Sequence, residues 1–284
     1  MRKIMISALC LMASVLTLQA KPDKNFYVFL CFGQSNMEGA AKPEARDMSG
    51  VSDRFVSLTP CTTAPEDAKW HLALPPLCRK DNGLTPADYF GRTLVENLPE
   101  KVRVGVINVA IGGCKIEAFM QEHVADEVKK APPAWQRAMF KAYDDDPYAY
   151  LVKLAKRAQQ DGVIKGILFH QGESNTGQKD WPDKVNTVYK RLLKDLGLKA
   201  KKVPLIAGEV VIAGGKGQCV AMNPIIDELP LTIPTAHVVK SDGLTNASDN
   251  LHFDAMGYRR LGQRYAAEML PLLGVKHPVI KPLE

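Results

Sequence analysis

The 284 residues contain no Cys-x-x-Cys and no His-x-x-x-His spacing, so nothing in the order of the chain points to a transition-metal site. No basic stripe interleaved with aromatic residues is present either, which removes the usual footprint of a nucleic-acid binder. Internal repeats and low-complexity tracts are absent, excluding solenoids and fibres. The apolar run from Ile4 to Leu18 is shorter than the roughly 20 residues a membrane-spanning helix needs.

That run has another reading. Arg2 and Lys3 precede it, Gln19-Ala20 end it, and the polar stretch Lys21 to Lys24 follows, the pattern of a signal peptide over residues 1–20 cleaved after Ala20. Leu9 stands before Cys10 where a lipoprotein acceptor wants a small residue, so a lipid anchor is not expected. The mature chain is then secreted or periplasmic, with no membrane attachment. Losing Arg2 and Lys3 takes two cations from 37, leaving 35 against 31 acidic residues, or +4, an ordinary solvated surface. With 46% apolar and 24% charged residues the chain is globular. Its five remaining cysteines, Cys31, Cys61, Cys78, Cys114 and Cys219, are odd in number, so at least one thiol is unpaired within a monomer. Cys61 and Cys78 share a loop-like segment and are the pair expected to bond, whereas Cys31 sits in an apolar strand pattern as a small hydrophobe.

Five apolar runs read as buried strands: Phe26 to Phe32, Val102 to Val109, Ile164 to Phe169, Pro204 to Val211 and Ala236 to Val239. Helical stripes lie between and after them, through Tyr148, Leu151, Val152 and Ala155, through Val185, Val188, Leu192 and Leu196, and through Tyr258, Leu261, Tyr265 and Met269. Asp254 suits the N-cap of the last helix and Pro182 the first turn of the middle one. The alternation predicts an α/β fold, a five-stranded parallel sheet covered on both faces, in one domain over residues 21–284. Two long stretches, about 40–84 and 115–146, read as loops. Trp70, Phe119 and Trp135 within them either face a substrate or pin the loops to the body.

Chemistry-bearing residues gather after the strands. The first strand runs into Gly33-Gln34-Ser35-Asn36-Met37, which puts a serine on the turn leaving the sheet. The second runs into Ala110-Ile111-Gly112-Gly113, where glycines let backbone N–H groups approach a bound atom. The third runs into His170-Gln171-Gly172-Glu173-Ser174-Asn175, and after the fifth comes Asp249-Asn250-Leu251-His252. Parallel strands bring such ends to one edge of a sheet, where a nucleophile, an oxyanion hole and a base with its orienting acid can meet. Serine needs a base to take its proton, and His252 fits that role. Asp249 is the partner for its second ring nitrogen, with Glu173 the rival acid. Oxyanion donors are then the N–H of Ser35, the N–H of Gly112 or Gly113, and the side-chain amide of Gln171. Plainer roles exist for each: Asp249 as a turn residue, Gln171 as a tie within its loop, the glycines for packing. His170 reads as structural, and Gly214-Gly215-Lys216-Gly217 lacks the ending and spacing of a phosphate loop and reads as a flexible surface turn.

Taken in order, the Gly33-to-Met37 block, the Ala110-to-Gly113 block, the His170-to-Ser174 block and Asp249-x-x-His252 resemble the carbohydrate esterase family 6 and sialate O-acetylesterase-like branch of the SGNH hydrolases. That resemblance implies a flavodoxin-like three-layer α/β/α fold and deacetylation through an acyl-enzyme, without metal or cofactor. The implied partner is an acetylated carbohydrate such as acetylated xylan or acetylated sialic acid. Cys114 and Phe119 stand where the family leads one to expect a small hydroxyl residue and often Trp, which implies an altered pocket wall. A general short-chain acyl or lipid esterase, and a sugar-binding protein on the same scaffold without turnover, are the alternative functions.

Overall fold

The computed structural model describes residues 21–131 and 133–283; the leader read over residues 1–20 lies outside the described residues. Strand β1 (Phe26–Gly33) sets the layering, because its residues divide between two cores. Phe26, Val28, Leu30 and Phe32 enter one buried cluster, and Phe29 and Cys31 the other. A strand apolar on both sides needs cover on both faces, and helices supply it.

After β1 the chain runs through α1 (Ser35–Glu38), β2 (Phe55–Ser57), β3 (His71–Leu72), α2 (Pro86–Asn97) and β4 (Arg103–Ala110). It continues through α3 (Val124–Lys130), α4 (Ala134–Lys141), α5 (Pro147–Ala158), β5 (Val163–His170), α6 (Trp181–Asp195) and β6 (Leu205–Gly208). The last elements are α7 (Asn223–Asp227), α8 (Leu229–Thr232), β7 (Ala236–Val239) and α9 (Ala255–Leu272). Helices α5 and α6 bury Leu151, Leu154, Val188 and Leu192 against one face; α2 and α9 bury Phe90, Leu94, Tyr258 and Leu261 against the other. Asp254 caps α9 by accepting from Gly257 N–H at 2.7 Å, and Pro182 lies in the first turn of α6. Between α2 and α9 the backbones nearly touch: a Cβ added at Gly262 would sit 2.3 Å from the Pro86 carbonyl oxygen.

The sheet is larger than the five parallel strands expected. It has seven, in the order β3-β2-β4-β1-β5-β6-β7, with β3 antiparallel to β2 and every other pairing parallel. Both added strands lie inside the stretch read as a loop over 40–84. Three and two residues long, they are too short for any hydrophobic period to register. The stretch read as a loop over 115–146 likewise holds α3 and α4. The strand expected over 204–211 pairs only over Leu205–Gly208, because Asn223 takes both backbone groups of Val210: its Oδ1 accepts from Val210 N–H at 2.8 Å and its Nδ2 donates to Val210 O at 3.1 Å.

Cys61 and Cys78 are not bonded to each other; all five cysteines among the described residues are free. Each of the two has its own partner. The Cys61 thiol donates to Leu58 O at 3.0 Å, and Cys78 Sγ lies 3.2 Å from the Tyr143 hydroxyl. Among the described residues no helix is long and apolar enough to cross a membrane.

β1 lies between β4 and β5; it leads on to β2 on the β4 side of the sheet, whereas its neighbour β5 leads on to β6 on the opposite side. The carboxyl ends of β1, β4 and β5 therefore border the crevice where open α/β sheets bind ligands.

Candidate active site

β1 enters that crevice through Gly33, whose φ of +151° and surroundings both require glycine: a Cβ there would lie 2.0 Å from the His170 carbonyl oxygen. Gln34 N–H donates to the same oxygen at 3.0 Å, and the chain turns at once into α1. Asn108, on β4, holds the turn from below by donating to Met37 O at 2.8 Å. Ser35 is the first residue of α1 and lines a cavity of about 520 Å³.

The loop after β7 brings its histidine to the same place. His252 Nε2 lies 2.9 Å from Ser35 Oγ, across 217 residues of chain. On the far side of the ring, Nδ1 is 2.7 Å from Asp249 Oδ2, while Asp249 Oδ1 accepts the N–H groups of Leu251 (2.9 Å) and His252 (3.0 Å). A carboxylate on Nδ1 fixes the proton there, which leaves the Nε2 lone pair facing the serine hydroxyl. Burial pushes the Asp249 carboxyl up, but the hydrogen bonds from His252 and Leu251 outweigh it and hold the group below the usual carboxylate range. Its side chain is nonetheless 44% exposed.

Glu173, the rival acid, is close but turned elsewhere. It is buried, and its Oε1 accepts from Asn36 Nδ2 at 2.6 Å rather than from His252. Burial raises its pKa, its Oε2 has no partner, and His170 Nε2, also unpartnered, lies 4.0 Å from its Oε1. His170 is fully buried, which lowers its pKa to about 3 and keeps it neutral; its Nδ1 is 3.2 Å from the Tyr265 hydroxyl.

Asn36 joins these pieces and had no role assigned from the sequence, although it stands inside the first block. Besides Glu173, its Nδ2 donates to Leu251 O at 3.0 Å, and its Oδ1 accepts from Phe253 N–H at 3.2 Å and Tyr258 O–H at 2.8 Å. The serine turn, the third loop and the histidine loop are thus tied through one amide.

Ser35, Gly112 and Gly113 all line the cavity, and no acceptor among the described residues takes the backbone N–H of Ser35 or Gly113. Gln171 does not join them. Its amide points inward, with Nε2 donating to Asn175 Oδ1 (2.6 Å) and Gln34 Oε1 (3.0 Å) and Oε1 accepting from Trp181 Nε1 (2.6 Å). Two amide hydrogens are thereby used, and none is left for a bound oxyanion. The residue instead locks the third loop to Gln34 and α6, the plainer of its two readings.

Cys114 and Phe119 do not form the pocket wall. Both are buried, Phe119 packing on Phe32 with ring centroids 5.2 Å apart, and Trp70 is pinned by Nε1 to Asp161 at 2.8 Å. The wall comes from Trp135 and Met139 of α4, which sequence pattern could not bring to the glycines of the second block. Gln136 anchors α4 there by donating to Gly112 O at 3.0 Å. Glu38 also lines the cavity; its Oε1 takes hydrogen bonds from Arg79 and Asn82, its Oε2 faces Gly112, and burial raises its pKa against the pull of Arg79, Asn82 and the Gly112 N–H. The glycine stretch at 214–217 leads into Gln218, whose Nε2 donates to Asp249 O at 2.6 Å and whose N–H donates to Asn250 O at 3.0 Å, so it supports the histidine loop. Among the described residues no three His, Cys, Asp or Glu side chains gather as a metal-binding group.

Known structures share this frame. A protein from Arabidopsis thaliana is 21% identical with a TM-score of 0.63, matched over 88% of this chain and 99% of its own. NanS is 16% identical with a TM-score of 0.63, over 90% and 99%. XAC1771, a carbohydrate acetylesterase from Xanthomonas citri, is 18% identical with a TM-score of 0.61, over 86% of this chain but 56% of its own. At such identities the likeness is one of fold. Residues 25–271 match the family described as carbohydrate esterase, sialic acid-specific acetylesterase. The chain belongs to that family of carbohydrate esterases.

Proposed function

We propose that the chain removes O-acetyl groups from a glycan by a serine acyl-enzyme route, acting as one exported catalytic domain. The reading is carried by the contact of Ser35 Oγ with His252 Nε2 at 2.9 Å, in a crevice that Gly112 and Gly113 also border. His252 takes the hydroxyl proton as Ser35 Oγ bonds to the acetyl carbonyl carbon. Negative charge gathers on the carbonyl oxygen, where the N–H groups of Ser35 and of Gly113 or Gly112 receive it. As the tetrahedral species collapses, the ester C–O bond breaks and the sugar oxygen leaves with the proton from His252. Water, deprotonated by the same ring, then attacks the acetyl-serine and releases acetate. Asp249 holds the ring in the required tautomer and offsets the charge of the imidazolium. Acetylated xylan and acetylated sialic acid are the substrate classes that this reading favours.

Acetate release from those two substrates, followed by coupled assay, is the direct test. Ser35→Ala and His252→Ala should each lower kcat by at least about a thousandfold with the circular dichroism spectrum unchanged. Near-normal turnover in either variant would remove the mechanism. Nitrophenyl esters of increasing length separate an acetyl-specific pocket from a general acyl esterase, since the former should lose activity at butyrate.

A further inference from the structure

A second cavity of about 550 Å³ lies against the one that holds Ser35, and Trp135 and Met139 line both. Its size falls within the range of about 300–1,000 Å³ common to small-molecule sites. The two are also tied at their boundary, since Glu38 lines the first, Arg79 the second, and they form an ion pair. Trp135 is 53% exposed, and a Cβ on Gly113 would come within 3.4 Å of its ring. An indole left so open, beside a glycine of the reaction cleft, has a free face for a ligand.

The chemistry of the second cavity narrows the occupant. Tyr143 and Tyr150 give it aromatic wall, and Lys80, Asp81 and Asn82 give it donors and acceptors. Its charge is balanced. The Arg79 guanidinium is engaged by Glu38, by Ala110 O and by the Tyr143 hydroxyl, which leaves Lys80 set against Asp81. An uncharged pyranose suits such a surface, with its C–H face on an aromatic ring and its hydroxyls on amide, carboxylate and ammonium groups.

We infer that this cavity is an accessory subsite holding a neutral sugar unit next to the acetylated one, so that the preferred substrate is an oligosaccharide chain lying across Trp135. The inference rests on the proposed glycan deacetylation at Ser35.

Acetate release is measured on acetylated xylose, acetylated xylooligosaccharides of two to four units, O-acetylated sialic acid and p-nitrophenyl acetate. For the native protein, kcat/KM should rise about tenfold or more from the single sugar to the longer chains, the gain that one added set of pocket contacts supplies. Ala138, exposed on α4, lines the second cavity and not the first, so Ala138→Trp fills the former. That variant should lose the rise with chain length and keep its rate on p-nitrophenyl acetate. Equal kcat/KM for single sugar and chain in the native protein, or a chain-length gain that survives Ala138→Trp, overturns the subsite while leaving glycan deacetylation intact. Preference for O-acetylated sialic acid over every xylooligosaccharide also overturns it. Hydrolysis of p-nitrophenyl acetate with no release from any sugar defeats the glycan reading itself, and the subsite with it.

Discussion

At the scale of single residues, the two carboxylates near His252 differ by what surrounds them rather than by what they are. Asp249 is partly solvated and anchored by N–H groups; Glu173 is buried and faces Asn36. The sequence left both open because each precedes or follows a plausible catalytic block by a few residues, and only the direction of a side chain separates them. An exposed carboxylate is screened by water, so its help to the imidazolium is smaller than that of a buried one. Asp249→Asn is therefore expected to lower kcat by about 10- to 100-fold, short of the roughly ten-thousandfold loss known for a buried triad acid. Glu173→Gln should leave the pH dependence of kcat unchanged. A shifted profile in Glu173→Gln together with a silent Asp249→Asn would exchange the two roles. Gln171 is the residue where motif reasoning failed: a side-chain amide at a strand end looks like an oxyanion donor until its partners Gln34, Asn175 and Trp181 are seen to occupy it.

Secondary-structure elements were legible in proportion to their length and periodicity. Each of the five apolar runs holds a strand, the fourth only over Leu205–Gly208, and the stripes starting at 148, 185 and 258 lie in helices, because continuous apolarity or a helical period outweighs local noise there. The short strands β2 and β3 escaped because a Pro- and Asp-rich surrounding hides residues whose pairing is decided by partners elsewhere in the sheet, β4 for β2 and β2 for β3. Helix packing leaves its own mark in Gly262, which α9 needs in order to approach α2. Gly262→Ala is expected to destabilise the fold by about 1–3 kcal/mol, since the obstacle is the Pro86 carbonyl and not a side chain that can turn away. Urea unfolding would measure it, and an unchanged midpoint would mean that the helices can part at no cost.

For the molecule as a whole, what could be read was that four strand ends share an edge; what could not was the way buried ionisable groups tune its response to acid. His170 is neutral in the fold with its pKa lowered to about 3, whereas in the unfolded chain it binds a proton below about 6.5. The unfolded state thus gains protons first, and stability from this group is lost as pH falls from about 6.5 toward 3, at up to ~1.4 kcal/mol per pH unit. Asp88 acts in the opposite sense. Burial raises its carboxyl to about 7, so the folded state takes that proton first and stability rises as pH falls from about 7 to 4. Over that interval these two groups therefore act against each other. Replacing His170 by Gln should remove one arm and make the variant gain stability between pH 6.5 and 4 relative to the native chain. Denaturant midpoints across that interval test it, and parallel curves for the two proteins would refute the assignment.

Asn36 carries a consequence for how the enzyme fails. Because one amide fastens the serine turn, the Glu173 loop and the histidine loop together, none of the three can loosen while the others stay in register. Heat should then abolish turnover and tertiary structure in a single event in the native chain. With Asn36→Ala the two should come apart, activity vanishing several degrees before the fold does, as an arch opens at its keystone while the piers still stand.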